Sequence, residues 1–277
     1  MIFSVKIYKK LYSFFKIYYT LKVLVITFRL WRFRAWVDFW LTTTVHKEIR
    51  IKGFSLLLRG KSLPTKLYEL NIILENLLCS NYLDPSLKIK DDDTIIDIGA
   101  HVGSFCIPAA MKYRNSKIYA FEPEPENYNL LVKNIKLNDV VNVEPRKLAV
   151  AASAGLGNLF VDPYNSTGHS LTRKTPKSLE VQTTTLEQIL SVNRVVHCGL
   201  LKIDCEGAEY EILLNTSLFN LSKIENIAME YHIPKFFDLD NASLLKNLIE
   251  HLRAGGFDVT LKEVNYQIGY LKASRQV

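Results

Sequence analysis

One turn constrains this chain more than any other feature. Asp97-x-Gly99-x-x-x-Gly103 stands between a short apolar run, residues 94–100, and a helix-like stretch from Val102 to Met111. A short apolar run closed by glycine reads as a buried strand. Gly99 lets the backbone turn tightly, and Gly103 lets a ligand or helix come close. The helix behind them starts with unpaired backbone N–H groups. A second apolar run, residues 117–123, carries Glu122 at its end. A carboxylate there can accept hydrogen bonds from both hydroxyls of an adenosine ribose. The glycine spacing is not G-x-G-x-x-G, which argues against a dinucleotide and its oxidoreductase chemistry. A nucleoside carrying a sulfonium and an amino-acid tail suits Asp97 better, because the carboxylate meets positive charge without phosphate repulsion.

The rest of the chain repeats the same alternation. Pro125 to Leu137 reads as a helix, 141–150 as a third strand, and 183–190 as a short helix. A strand over 199–207, a helix over 208–214, a strand over 224–232 and a helix over 242–257 follow, and two last strands are expected at 257–261 and 266–271. Strands alternating with helices predict an α/β fold with an open parallel sheet. Seven strands, the last two forming an antiparallel hairpin, complete it.

The net charge of +7 hints at nucleic acid until it is resolved along the chain. Residues 1–40 carry +7, residues 41–90 carry +4, and residues 91–277 carry −4. Two regions follow: a basic, aromatic-rich helical extension or cap over 1–90, and the α/β domain over 91–277. Ile7, Leu11, Phe14, Tyr18, Leu21, Val25 and Phe28 fall on one helical face, with lysines on another. Such a helix can lie on an anionic membrane surface, or pack against the domain or a second subunit. The charge-free run between Lys22 and Arg29 has six residues, too few for a membrane span. Residues 41–90 read as a bridge with a helix after Pro64. Cys79, Cys106, Cys198 and Cys205 show no metal-type spacing, and a reduced, cytoplasmic setting is expected.

Four blocks then give the chain a family likeness: DIGAHVGSF (97–105), YAFEPEPENYNLLVKNIKLN (119–138), TTTLEQIL (183–190) and LKIDCEGAEYEIL (201–213). Together with MEYH (229–232) and the glycines near 256, the sequence resembles the FkbM family of S-adenosylmethionine-dependent O-methyltransferases over roughly residues 92–258. The resemblance implies a Rossmann-like class I methyltransferase fold with S-adenosylmethionine as cofactor. Asp97, Gly99 and Gly103 match the family's cofactor loop, and Glu122 its ribose-binding acid. His101 stands where the family usually has Asn and is expected to hydrogen-bond within that loop. The implied reaction is O-methylation of a sugar, glycolipid or other small hydroxylated metabolite. A cofactor-binding interaction module without catalysis is the alternative. The acidic domain makes a nucleic-acid partner unexpected.

Ligands of open α/β sheets bind beyond the carboxyl ends of the strands. Asp204 and Glu230 end two strands there, His232 lies just beyond, and Glu206 follows Asp204 into its loop. Methyl transfer needs an aligned acceptor oxygen and a group that takes its proton. His232 and Asp204 are the candidate bases, and Lys202 a group that orients or acidifies the hydroxyl. Glu206 and Glu230 are candidate acceptor contacts. Asp204 with Glu230 or Glu206 can also supply oxygen ligands to Mg²⁺. The polar stretch 151–182 is expected to be a lid over the acceptor, touching it through Tyr164, Asn165 and His169.

Overall fold

A computed structural model describes residues 40–41, 46–51, 53–59, 66, 69–70, 73, 82–162, 168–232, 239–264 and 268–275. The amphipathic segment of residues 1–37, with its membrane or subunit contacts, lies outside the described residues. Among the described residues, no helix is long and apolar enough to cross a membrane.

The centre of the molecule is a seven-stranded sheet. Its strands are β3 (Thr94–Ile98), β4 (Lys117–Phe121), β5 (Val143–Arg146), β9 (Cys198–Ile203), β10 (Asn226–His232), β11 (Phe257–Glu263) and β12 (Ile268–Arg275), in the order β11-β12-β10-β9-β3-β4-β5. Neighbours from β10 to β5 are parallel, and β12 runs antiparallel to both β10 and β11. The expected seven strands and closing antiparallel pair are therefore present. Every residue of β9 is buried, as a central strand covered on both faces requires.

Alternation along the strands sends side chains into two cores. Ile95 and Leu200 join α1 (Cys106–Lys112) and α2 (Pro125–Leu137) on one face. Ile96, Ile98, Leu201 and Ile203 join α3 (Leu186–Val192), α4 (Glu209–Leu214), α5 (Leu218–Leu221) and α6 (Leu239–Ala254) on the other. Thr185 caps α3, accepting from Gln188 N–H. The expected helix of 183–190 thus starts later, because Thr183 and Thr184 still belong to a strand.

Two regions differ from the sequence reading. The bridge holds an antiparallel hairpin, β1 (His46–Ile51) and β2 (Phe54–Arg59). Its Ile49, Ile51, Phe54, Leu56 and Leu58 are buried in the same core as α1 and α2. The open edge of β2 pairs with side chains of α2: the Ser55 and Leu57 N–H groups donate to Asn138 and Asn134, at 2.7 and 2.6 Å. After Pro64, the described Lys66, Glu69, Leu70 and Ile73 are helical and buried. The second difference lies in 141–182. The expected third strand divides, since β5 stays in the main sheet while β6 (Ala149–Val150) leaves it. With β7 (Gly155–Phe160) and β8 (Ser178–Thr184), β6 forms a separate three-stranded sheet. The stretch expected as a loop is therefore largely a hairpin.

Candidate cofactor and acceptor site

The carboxyl ends of β3, β4, β9 and β10 meet in one place. Gly99 follows β3 with φ of +78°, and a methyl group there would run into the Asp204 carbonyl oxygen. Asp204 N–H donates back to the Ile98 carbonyl at 3.0 Å. Gly99 is thus required by close approach as well as by its turn, and it joins the loop after β3 to the loop after β9.

Asp97 and Lys202 are register partners on adjacent strands, and both side chains point to the face covered by α1. Asp97 is fully buried, with Lys202 Nζ 2.9 Å away. The same ammonium donates to the Gly99 carbonyl at 2.7 Å and the Ile98 carbonyl at 3.3 Å. Burial lowers the Lys202 pKa, but the charges of Asp97 and Asp204 outweigh this and leave it above the ordinary value. The positive charge that meets Asp97 within the protein is that of Lys202, whose ammonium also donates to two backbone carbonyls.

Glu122 stands one residue past β4. Its Oε2 accepts from the His101 N–H at 2.8 Å, and its Oε1 from the Glu124 N–H at 2.9 Å and Asn127 Nδ2 at 3.2 Å. Burial pushes its pKa up to about 7, against the pull of those hydrogen bonds. The α2 helix that supplies Asn127 begins with Pro125 and is capped by Glu124, whose carboxylate accepts from the Asn127 N–H at 2.7 Å. His101 has φ of +50°, a conformation that Asn and His adopt more readily than most residues. Burial, then the charges of Arg59, His169 and Lys202, keep its imidazole neutral. Its loop contact is thus made by the backbone, through Glu122.

The acceptor side is acidic and tightly knit. His232 Nδ1 lies 2.6 Å from Glu209 Oε1, which also accepts the His232 N–H at 3.1 Å. Glu209 Oε2 accepts from the Gly207 N–H at 2.5 Å. On the other side of the ring, His232 Nε2 faces Glu230 at 3.4 Å and Glu206 at 3.7 Å. Burial lowers the His232 pKa, but its hydrogen bonds to Glu209 and Glu230 overcome this and hold it well above 6.5. Burial raises Glu206 to about 7, opposed by His232. Tyr82 donates its single proton between two carboxylates, Asp204 Oδ2 at 3.1 Å and Glu230 Oε2 at 3.2 Å. Asp204, Glu230 and His232 each bring a ligand atom within 4.8 Å of the others, a set that can hold a metal ion.

The structure therefore brings Asp204, Glu206, Glu230 and His232 together, as expected. His169 Nδ1 accepts the Asp162 N–H at 3.1 Å, and the charges acting on it include Glu124 and Arg59, on the Glu122 side, and Arg173, which lies 3.9 Å from Glu206. Tyr164 and Asn165 lie outside the described residues. The stretch 151–182 reaches the site where Ser170 Oγ donates to the Glu206 carbonyl at 2.6 Å and where Arg173 Nη1 lies 3.9 Å from the Glu206 carboxylate. Sequence reasoning did not find Tyr82, Arg59 or Asn127. Asn127, Asn134 and Asn138 lie seven and four residues apart on α2, a helical spacing that marks a polar seam. Tyr82 carries no local signal.

Comparison with known proteins places this geometry in context. The model of the methyltransferase FkbM domain matches residues 97–259. Methyltransferase sdnD of Sordaria araneosa is 27% identical over 224 residues, covering 68% of this chain and 84% of its own. The 31-O-demethyl-FK506 methyltransferase FkbM of Streptomyces tacrolimicus is 23% identical over 213 residues, covering 66% and 79%. Among solved structures, M. jannaschii TYW2 in complex with AdoMet aligns over 85% of this chain and 89% of that one, with 15% identity and a TM-score of 0.45.

Proposed function

The chain belongs to the FkbM methyltransferase family, and on that premise we propose that it is an S-adenosylmethionine-dependent O-methyltransferase of a small hydroxylated acceptor, such as a sugar, glycolipid or secondary metabolite. The observation that carries the cofactor is Glu122, held by two backbone N–H groups and an amide at the end of β4, beside the Gly99 turn. Ionised, it has an acceptor direction left for a ribose hydroxyl. Bound S-adenosylmethionine would supply an electrophilic sulfonium methyl group, whose transfer to the acceptor oxygen would break the carbon–sulfur bond and release S-adenosylhomocysteine. The acceptor proton passes to the Glu206–His232 pair. Glu206, pushed up to about 7, is half ionised near neutrality and takes the proton. His232, fixed by Glu209, supplies the neighbouring positive charge. The relative that methylates 31-O-demethyl-FK506 supports a hydroxyl acceptor.

A second reading adds a divalent cation, supported by the convergence of Asp204, Glu230 and His232. Mg²⁺ held there by the two carboxylates would orient an acceptor hydroxyl.

Titration calorimetry of the full chain with S-adenosylhomocysteine tests the cofactor. Binding at micromolar Kd or better is expected, with about a hundredfold loss for Glu122→Ala, as the removal of a charge-assisted hydrogen bond implies. No binding by the wild type sinks the reading. A panel of hydroxylated acceptors, assayed with and without a chelator, tests the acceptor class and the cation separately.

A further inference from the structure

One wall of the cofactor site is fixed from outside the residues that match the family. Arg59 ends β2 and is buried. Its backbone N–H and its Nη1 donate to the two oxygens of the fully buried Glu69, at 2.9 and 2.5 Å. Its Nη2 donates to Asn127 Oδ1 and lies 3.6 Å from Glu124. Its Nε lies 3.4 Å from Glu126. A guanidinium has donors only, so the Asn127 oxygen must face Arg59. The amide nitrogen then faces the other way, toward Glu122 Oε1.

We propose that Arg59 is a positioning residue for the cofactor ribose: it locks the Asn127 amide in the one orientation that offers Glu122 a donor. The proposal rests on the S-adenosylmethionine reading and deepens it. Glu122 has roughly four acceptor directions. His101, Glu124 and Asn127 occupy three of them and fix its rotation, which leaves one for a ribose hydroxyl. Without Arg59 the amide can turn over. A carbonyl against a carboxylate repels it, favours its protonated form and turns it away from the ribose. The charge of Glu69 holds Arg59 in place in turn, so a chain of three contacts runs from the helical residues after Pro64 to Glu122.

The experiment uses the full chain and two ligands, S-adenosylhomocysteine and its 2′-deoxyribose analogue, titrated between about pH 5.5 and 8.5. Two variants are compared with wild type. Arg59→Met with Glu69→Gln removes both buried charges together, so that no carboxylate is stranded. Asn127→Ala removes the amide while leaving Arg59 in place, and it decides the matter alone if the double variant fails to fold. Each folded variant is expected to lose about tenfold in affinity for S-adenosylhomocysteine at pH 7 and to shift the pH of half-lost binding up by about one unit. The loss for the deoxy analogue should be smaller, because part of the contact is already missing. Wild-type affinity and pH dependence in the variants would overturn the proposal, and so would equal losses for both ligands, which a merely structural role gives. Failure of the wild type to bind either ligand is distinguishable from both outcomes. It overturns the cofactor reading, and this inference falls with it.

Discussion

Lys202 shows how much a single side chain's role depends on its neighbours. On a strand that ends beside two acids it looks like a catalytic ammonium. In the fold it donates to the carbonyls of Ile98 and Gly99 and stands 2.9 Å from the buried Asp97. Its positive charge also lies over the rings of Tyr82 and Phe105. Lys202→Met leaves Asp97 buried and uncompensated, and should cost about 3–5 kcal/mol of stability. Replacing both, Lys202→Met with Asp97→Leu, should restore most of that loss. Urea unfolding of the three proteins checks this. Unchanged stability in the single variant would return Lys202 to the acceptor. The residues legible in sequence were those at strand ends, because strand ends can be read from apolar runs. Tyr82, Arg59 and Asn127 act from other elements, and no local pattern announces a contact made across 122 or 68 positions.

At the scale of elements, the parallel sheet was legible from alternation alone. Its seven strands and closing antiparallel pair agree with the apolar runs. The β1–β2 hairpin was not, because its apolar residues sit beside Lys, Arg and Ser in a segment whose charge drew attention first. Its five buried apolar side chains belong to the core of α1 and α2. Each stabilises by about 1.5–3 kcal/mol, which together approaches the whole margin of a domain. We predict that a fragment of residues 91–277 will not unfold cooperatively, whereas a fragment of residues 40–277 will. Circular dichroism melts of the two fragments decide it, and a sharp transition in the shorter one would show the hairpin to be dispensable. The boundary at residue 90, natural from composition, thus cuts through a packed core. Composition reports charge, and the core is organised by burial.

For the whole molecule, three titratable groups pull stability in one direction. Glu122 and Glu206 are raised by burial to about 7, and His232 is raised by its carboxylates. A group whose folded pKa is raised contributes stability that is complete below its unfolded pKa and is lost as pH rises through the folded one. From these groups, stability should therefore decline from about pH 4.5 to beyond pH 7. S-adenosylhomocysteine engages ionised Glu122, so its stabilising effect should grow over the same interval. Thermal melts at pH 5.5 and pH 8, with and without that ligand, test both statements. A stabilisation by ligand that is larger at pH 5.5 would contradict the assignment of Glu122.

The position of β3 in the sheet has a consequence in time. One neighbour, β4, begins within about twenty residues of β3's end, while the other, β9, begins at Cys198, some hundred residues on. At synthesis rates of about 5–20 residues per second, that edge of β3 waits roughly 5–20 seconds for its partner. During the wait, a row of unpaired backbone groups between apolar side chains is open to any other strand. The nascent chain is then most vulnerable to misassociation before Cys198 emerges, and a chaperone that binds extended apolar segments would be expected to engage it in that interval.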